Sequence, residues 1–63
     1  MPLIRIEMFP GRSPEKKREI AEGITRLLEE TAGISPSATT IIFQETAPQD
    51  WFLAGRSLAA PKD

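Results

Sequence analysis

Pro2, Arg12 and Trp51 are the residues of this 63-residue chain whose types and places could do chemistry. Pro2 follows Met1. Removal of Met1 as an initiator methionine would leave a secondary amine with a free lone pair. Such an amine can take a proton from carbon as a general base, or attack a carbonyl. Apolar neighbours and a nearby cation would disfavour its charged form and bring its pKa toward working pH. The same proline is also an ordinary way to begin a strand. Arg12 precedes a helix start, where a guanidinium could form a fork to a carboxylate, or simply be a surface arginine. Trp51, the single tryptophan, suits a pocket wall, an interface anchor or a core position.

The rest of the composition narrows the field to these residues. With no His, Cys or Tyr, the common nucleophiles and general bases are missing. Only a terminal amine titrates near neutral pH without perturbation, at about 7.7–8.0. No phosphate-binding glycine loop, metal-ligand cluster or catalytically spaced carboxylate pair is present. A net charge of −1, from 8 Lys+Arg against 9 Asp+Glu, gives no footprint for nucleic acid or an anionic membrane. The longest uncharged run, Thr31 to Gln44, is interrupted by Gly33, Ser35 and Pro36 and is no spanning helix. No basic region precedes an apolar stretch as in a secretory signal, so the cytoplasm is the expected location. Arg5, Arg56 and Lys62 have no partner that the sequence specifies.

These residues must be positioned by a small set of elements. Pro2 to Phe9 reads as a strand, with Ile4, Ile6 and Met8 on one side and Leu3, Arg5, Glu7 and Phe9 on the other. Pro10-Gly11-Arg12 is a turn. Ser13 is a good N-cap, Pro14 suits the first helical position, and Glu15 suits the dipole. The helix runs from Pro14 to about Ala32, where Gly33 stops it. Its apolar stripe is Ile20, Ala21, Ile24, Leu27, Leu28 and Thr31. Arg18–Glu22, Glu22–Arg26 and Arg26–Glu30 are spaced for ion pairs on the solvated side. Gly23, costly in mid-helix, implies close packing there. Ser35-Pro36-Ser37 is a linker, and Thr39 to Glu45 a second strand with apolar groups on both faces. Strand, long helix, strand implies a single βαβ domain with parallel strands and a right-handed crossover. Ala47-Pro48-Gln49-Asp50 is a turn before Trp51-Phe52-Leu53, an apolar cluster that one helix on two strands cannot bury. It is expected in a hairpin or arm that packs on a neighbouring chain. A domain of about 60 residues buries only roughly 60% of its unfolded surface, so an oligomer is expected.

Met1-Pro2-Leu3-Ile4-Arg5-Ile6, Gly11-Arg12-Ser13 before a long helix, and Ile41-Ile42-Phe43-Gln44-Glu45 together resemble the 4-oxalocrotonate tautomerase family. Pro48-Gln49-Asp50-Trp51 and Gly55 resemble that family's Pro-Glu-Asn-Trp and glycine-containing tail. The resemblance covers nearly the whole chain. It implies an α/β protomer of β-α-β tautomerase fold, with a short C-terminal hairpin, that joins sheets in dimers and builds a homohexamer. It implies an isomerase that moves a proton between oxygen and carbon of a small carboxylated enol or 2-keto acid, with no cofactor or metal. Pro2 is then the general base and Arg12 the carboxylate anchor. Trp51, from a neighbouring subunit, walls the pocket, with Leu3, Phe9 and Leu53 as further wall residues. The family's second arginine, which polarises the substrate oxygen, is matched by Thr40, whose hydroxyl offers one neutral hydrogen bond. The competing reading is a non-catalytic subunit that binds a small carboxylate without turnover, alone or in a mixed oligomer.

Overall fold

The computed structural model describes residues 1–59; Lys62 lies outside them. Strand β1 is Leu3–Met8, helix α1 is Pro14–Ala32, and strand β2 is Thr40–Glu45. A hairpin of β3 (Phe52–Leu53) and β4 (Arg56–Ser57) follows. β1 and β2 pair in parallel with Leu3 beside Thr40, Ile4 beside Ile41 and Glu7 beside Gln44. The parallel pairing follows from the crossover, because α1 carries the chain back to the end where β1 began.

Local chemistry sets the ends of α1. The Ser13 side chain accepts from the Lys16 backbone N–H at 3.1 Å, and Pro14 opens the first turn. Gly33 closes the helix at φ 68°, its N–H donating to the Glu29 carbonyl while that of Ile34 reaches Leu28. This is the left-handed cap that glycine adopts without steric cost. Ser35-Pro36-Ser37 is more ordered than a linker, since Pro36–Ala38 forms a 3-10 turn capped by the Ser35 hydroxyl. A second such turn, Pro48–Asp50, leads into Trp51.

Exposure alternates along β1, with Ile4, Ile6 and Met8 half-buried and Leu3, Arg5 and Glu7 exposed. In β2, Ile41 and Phe43 are half-buried between exposed Thr40, Ile42 and Gln44. Ala21, Ile24 and Leu28 of α1 are likewise half-buried. Lys17 Nζ lies 2.6 Å from Glu45 Oε2 and ties the start of the helix to the end of β2.

Parts of the expected helical pattern do not hold. Ile20, Leu27 and Thr31 are exposed, Leu27 at 59% of its surface. Two strands about 4.8 Å apart are narrower than a helix about 10 Å across, so the flank overhangs the sheet. Gly23 is not closely packed in the protomer, as a Cβ there would meet nothing within 4 Å. None of the three i,i+4 charge pairs closes among the described residues; Lys16–Glu19, at 3.5 Å, is the helix's internal pair.

No described residue is fully buried. The accessible surface is 5027 Å², against about 4,000 Å² for a compact monomer of this mass. The radius of gyration is 15.3 Å, where about 11 Å is usual for this length. Both excesses come from a hairpin that stands away from the βαβ unit and a sheet face that nothing covers. Among the described residues, no helix is long and apolar enough to cross a membrane.

Candidate active site

Pro2 is held at the entry to β1 by the sheet itself: the Thr40 N–H donates to the Pro2 carbonyl at 3.1 Å. Register sets Thr40 beside Leu3, and both are exposed on the face away from α1. Pro2, Leu3 and Thr40 therefore form one cluster, fixed by backbone hydrogen bonds rather than by loop conformation.

A second cluster occupies the other end of the sheet. The Thr46 N–H donates to the Met8 carbonyl at 2.9 Å, which carries the chain past the end of β1. After the turn at Pro48–Asp50, Trp51 meets Phe9 edge to face, with ring centroids 4.8 Å apart and planes at 81°. This is the arrangement that ring quadrupoles favour. Trp51 thus packs on an aromatic of its own chain. Arg12 follows Gly11, whose φ of 129° turns the chain toward the helix start. It is exposed and joins no ion pair among the described residues.

The hairpin is fixed at its base, where the Leu58 N–H donates to the Trp51 carbonyl at 2.8 Å. Ala54 and Gly55, at φ 54° and 79°, make its turn. This conformation at two successive residues matches the twist of paired strands. It leaves Phe52 61% and Leu53 71% exposed, so in the protomer Leu53 walls nothing.

The sequence candidates thus fall into two groups, with Pro2 and Thr40 at one end of β1 and Arg12, Phe9 and Trp51 beyond the other. Six residues of strand at about 3.3 Å each separate them by about 20 Å. A small enol acid does not span that distance. The groove along the flank of α1, about 350 Å³ between Arg18 and Glu29 with Pro36 at its rim, contains none of these residues. Among the described residues, no cluster of carboxylates is arranged to hold a metal ion. Composition foreshadowed neither the Phe9–Trp51 pair nor the Lys17–Glu45 tie, since each joins residues distant in sequence.

The tautomerase enzyme family model matches residues 2–60. The 2-hydroxymuconate tautomerase of Comamonas testosteroni is 40% identical over 58 residues, covering 90% of each chain. A probable tautomerase of Ralstonia nicotianae is 36% identical over 56 residues, 89% of this chain and 86% of its own. Among solved structures, TomN, a 4-oxalocrotonate tautomerase homologue of the tomaymycin biosynthetic pathway, superposes with a TM-score of 0.84 at 41% identity. That match covers 92% of this chain and 89% of TomN. A heterohexamer 4-oxalocrotonate tautomerase from Chloroflexus aurantiacus gives 0.85 at 32% identity, over 98% of this chain and 100% of its own. Sequence and fold agree, and this chain belongs to the 4-oxalocrotonate tautomerase family of tautomerases. Its relatives place it among isomerases.

Proposed function

We propose that the protein is a cofactor-independent keto–enol tautomerase of a small carboxylated enol or 2-keto acid, acting in the cytoplasm as a homo-oligomer. The observation that carries this reading is the anchoring of Pro2 at the open end of β1, beside Thr40 and Leu3. With Met1 removed, the pyrrolidine nitrogen there is a secondary amine on a rigid strand. It takes the enol O–H proton, the C=C electron pair takes a proton at carbon, and the amine returns to its starting state when it supplies that proton. Arg12 grips the substrate carboxylate with a bidentate fork. Trp51, Phe9, Leu3 and Leu53 supply apolar walls that disfavour the ammonium form of the base. The Thr40 hydroxyl donates to the developing enolate.

A composite site accommodates the separation of Pro2 from Arg12: Pro2 and Thr40 of one protomer work with Arg12 and Trp51 of others. This supports an oligomeric enzyme, the hexamer being the family's arrangement. The decisive experiment is Pro2→Ala in protein whose mass is short by one methionine. Positioned general bases contribute about 10²–10⁴-fold, so ketonisation of the enol of phenylpyruvate or of 2-hydroxymuconate should fall at least about a hundredfold. The wild-type rate should rise with pH through a single ionisation below about 8, because the base works unprotonated. Unchanged turnover in Pro2→Ala would overturn the assignment. Tight carboxylate binding by the wild type without proton exchange would favour the non-catalytic subunit instead.

A further inference from the structure

The C-terminal hairpin has two unlike faces. Phe52 pairs with Ser57 and Leu53 with Arg56 across it. Continued one step, this register sets Leu58 opposite Trp51, where the Leu58 N–H reaches the Trp51 carbonyl at 2.8 Å. Trp51 is itself extended, at φ −117° and ψ 120°. Side chains alternate along a strand, and residues directly opposite one another share a face. Phe52 and Ser57 therefore stand on one face, which is turned toward its own chain where the Ser57 hydroxyl donates to the Pro48 carbonyl at 3.4 Å. Trp51, Leu53, Arg56 and Leu58 stand on the other. Leu53 is 71% and Leu58 44% exposed. Arg56 is exposed, joins no ion pair among the described residues, and is the single charged residue from Trp51 to Ala59.

Trp51 and Leu53, the hairpin residues assigned above to the wall over Pro2, thus share their face with one cation. Enolisation of a 2-keto acid puts a second negative charge on the oxygen one carbon away from the carboxylate. The Arg12 fork is taken by the carboxylate, and Thr40 offers that oxygen a neutral hydroxyl. Arg5 of β1 is followed by Glu7 on the same exposed face, whereas the hairpin face carries no anion.

We propose that Arg56 is a further catalytic residue: carried by a neighbouring protomer with Trp51 and Leu53, its guanidinium donates to the 2-oxygen of the substrate as enolate charge develops there. Arg56 takes this role only where the hairpin walls the Pro2 site, as the proposed function has it. A guanidinium keeps its protons throughout, so Pro2 alone carries the proton between oxygen and carbon. The oxygen has lone pairs for both Arg56 and Thr40. A donor aimed at charge that grows in the transition state acts on kcat more than on KM.

The experiment is steady-state tautomerisation of phenylpyruvate by Arg56→Gln, Arg56→Lys and Arg56→Ala, beside Pro2→Ala, with native mass spectrometry as a check on assembly. Arg56→Gln should lower kcat at least about tenfold, with a smaller change in KM, and Arg56→Lys should recover part of the loss. 3-Phenylpropionate has the carboxylate but no 2-oxygen, so it should inhibit Arg56→Gln as strongly as the wild type. Arg56→Ala, with room for a free guanidinium ion, should regain turnover when guanidinium is added. Unchanged kcat in Arg56→Gln beside an inactive Pro2→Ala would overturn the role of Arg56 and leave the base in place. Unchanged turnover in Pro2→Ala would overturn the underlying reading, and this one with it. Weaker inhibition by 3-phenylpropionate would move Arg56 to the carboxylate and overturn the proposal. So would a rate loss that guanidinium leaves unrecovered or that follows loss of assembly, since Arg56 would then be structural.

Discussion

The Phe9 and Trp51 rings meet edge to face at 4.8 Å although 41 residues of chain lie between them. The contact binds the end of β1 to the base of the hairpin and makes an aromatic corner at the start of the loop that leads to Arg12. Trp51→Ala removes the corner and one such aromatic pair, about 0.5–1.5 kcal/mol beyond the buried area. We expect kcat/KM for phenylpyruvate to fall about tenfold, with Trp51→Phe keeping most of it. As Trp51 is the single tryptophan, ligand binding should also shift the protein's intrinsic fluorescence.

Arg12 has no protein partner to lose among the described residues, so its removal should leave the fold intact. A hydrogen bond to a charged group contributes about 1.5–3 kcal/mol. Arg12→Ala should therefore lower kcat/KM about 10- to 100-fold at an unchanged melting temperature. Arg12→Lys should recover only part, because an ammonium cannot form the bidentate fork. Steady-state kinetics beside thermal denaturation separates the two effects.

Thr40 supplies a neutral group where Pro2 is anchored, and the last turn of α1 brings no basic residue to that end. A second substrate carboxylate would find little to pair with there. Thr40→Arg should raise kcat/KM for the dicarboxylate 2-hydroxymuconate relative to phenylpyruvate by about tenfold or more, the scale of one charge-assisted contact. An unaltered preference would remove Thr40 from the site.

The hairpin turn places an ordinary L-residue, Ala54, at φ 54° before Gly55 at φ 79°. Asparagine tolerates that region better than alanine, and Asn-Gly is the favoured pair for two-residue turns of this kind. Ala54→Asn should stabilise the hairpin by about 1 kcal/mol and Gly55→Ala should destabilise it by a similar amount. Amide exchange at Leu58, whose N–H closes the hairpin onto Trp51, reports both.

What was legible in the sequence was what local chemistry decides. Ser13-Pro14 and Gly33 set the helix ends where they were expected, and period two sorted β1 into its faces. Strand, helix and strand in that order carried the parallel pairing. The helical stripe was less legible, because a 3.6-residue period says which residues are apolar, not how wide the surface beneath them is. Ile20 and Leu27 belong to the stripe but stay exposed in a fold whose sheet under the helix has two strands. The surface charge pairs also failed to form, since holding two long exposed side chains together costs about as much as it returns. The site residues could be named from their types and from the family likeness. The distance between Pro2 and Arg12 is a matter of strand length, and only the three-dimensional arrangement divides the list of candidates into two groups.

A protomer with no fully buried residue among those described has little core of its own. In the proposed oligomer the core is completed where copies meet, so folding follows mass action, and each tenfold change in concentration shifts the balance of a dimer by about 1.4 kcal/mol. The protein thereby carries a dose threshold. Below it, newly made chains are open to proteolysis; above it, they shelter one another, and in the proposed composite site the same encounter unites Pro2 with Arg12. On that proposal abundance, durability and activity rise and fall together.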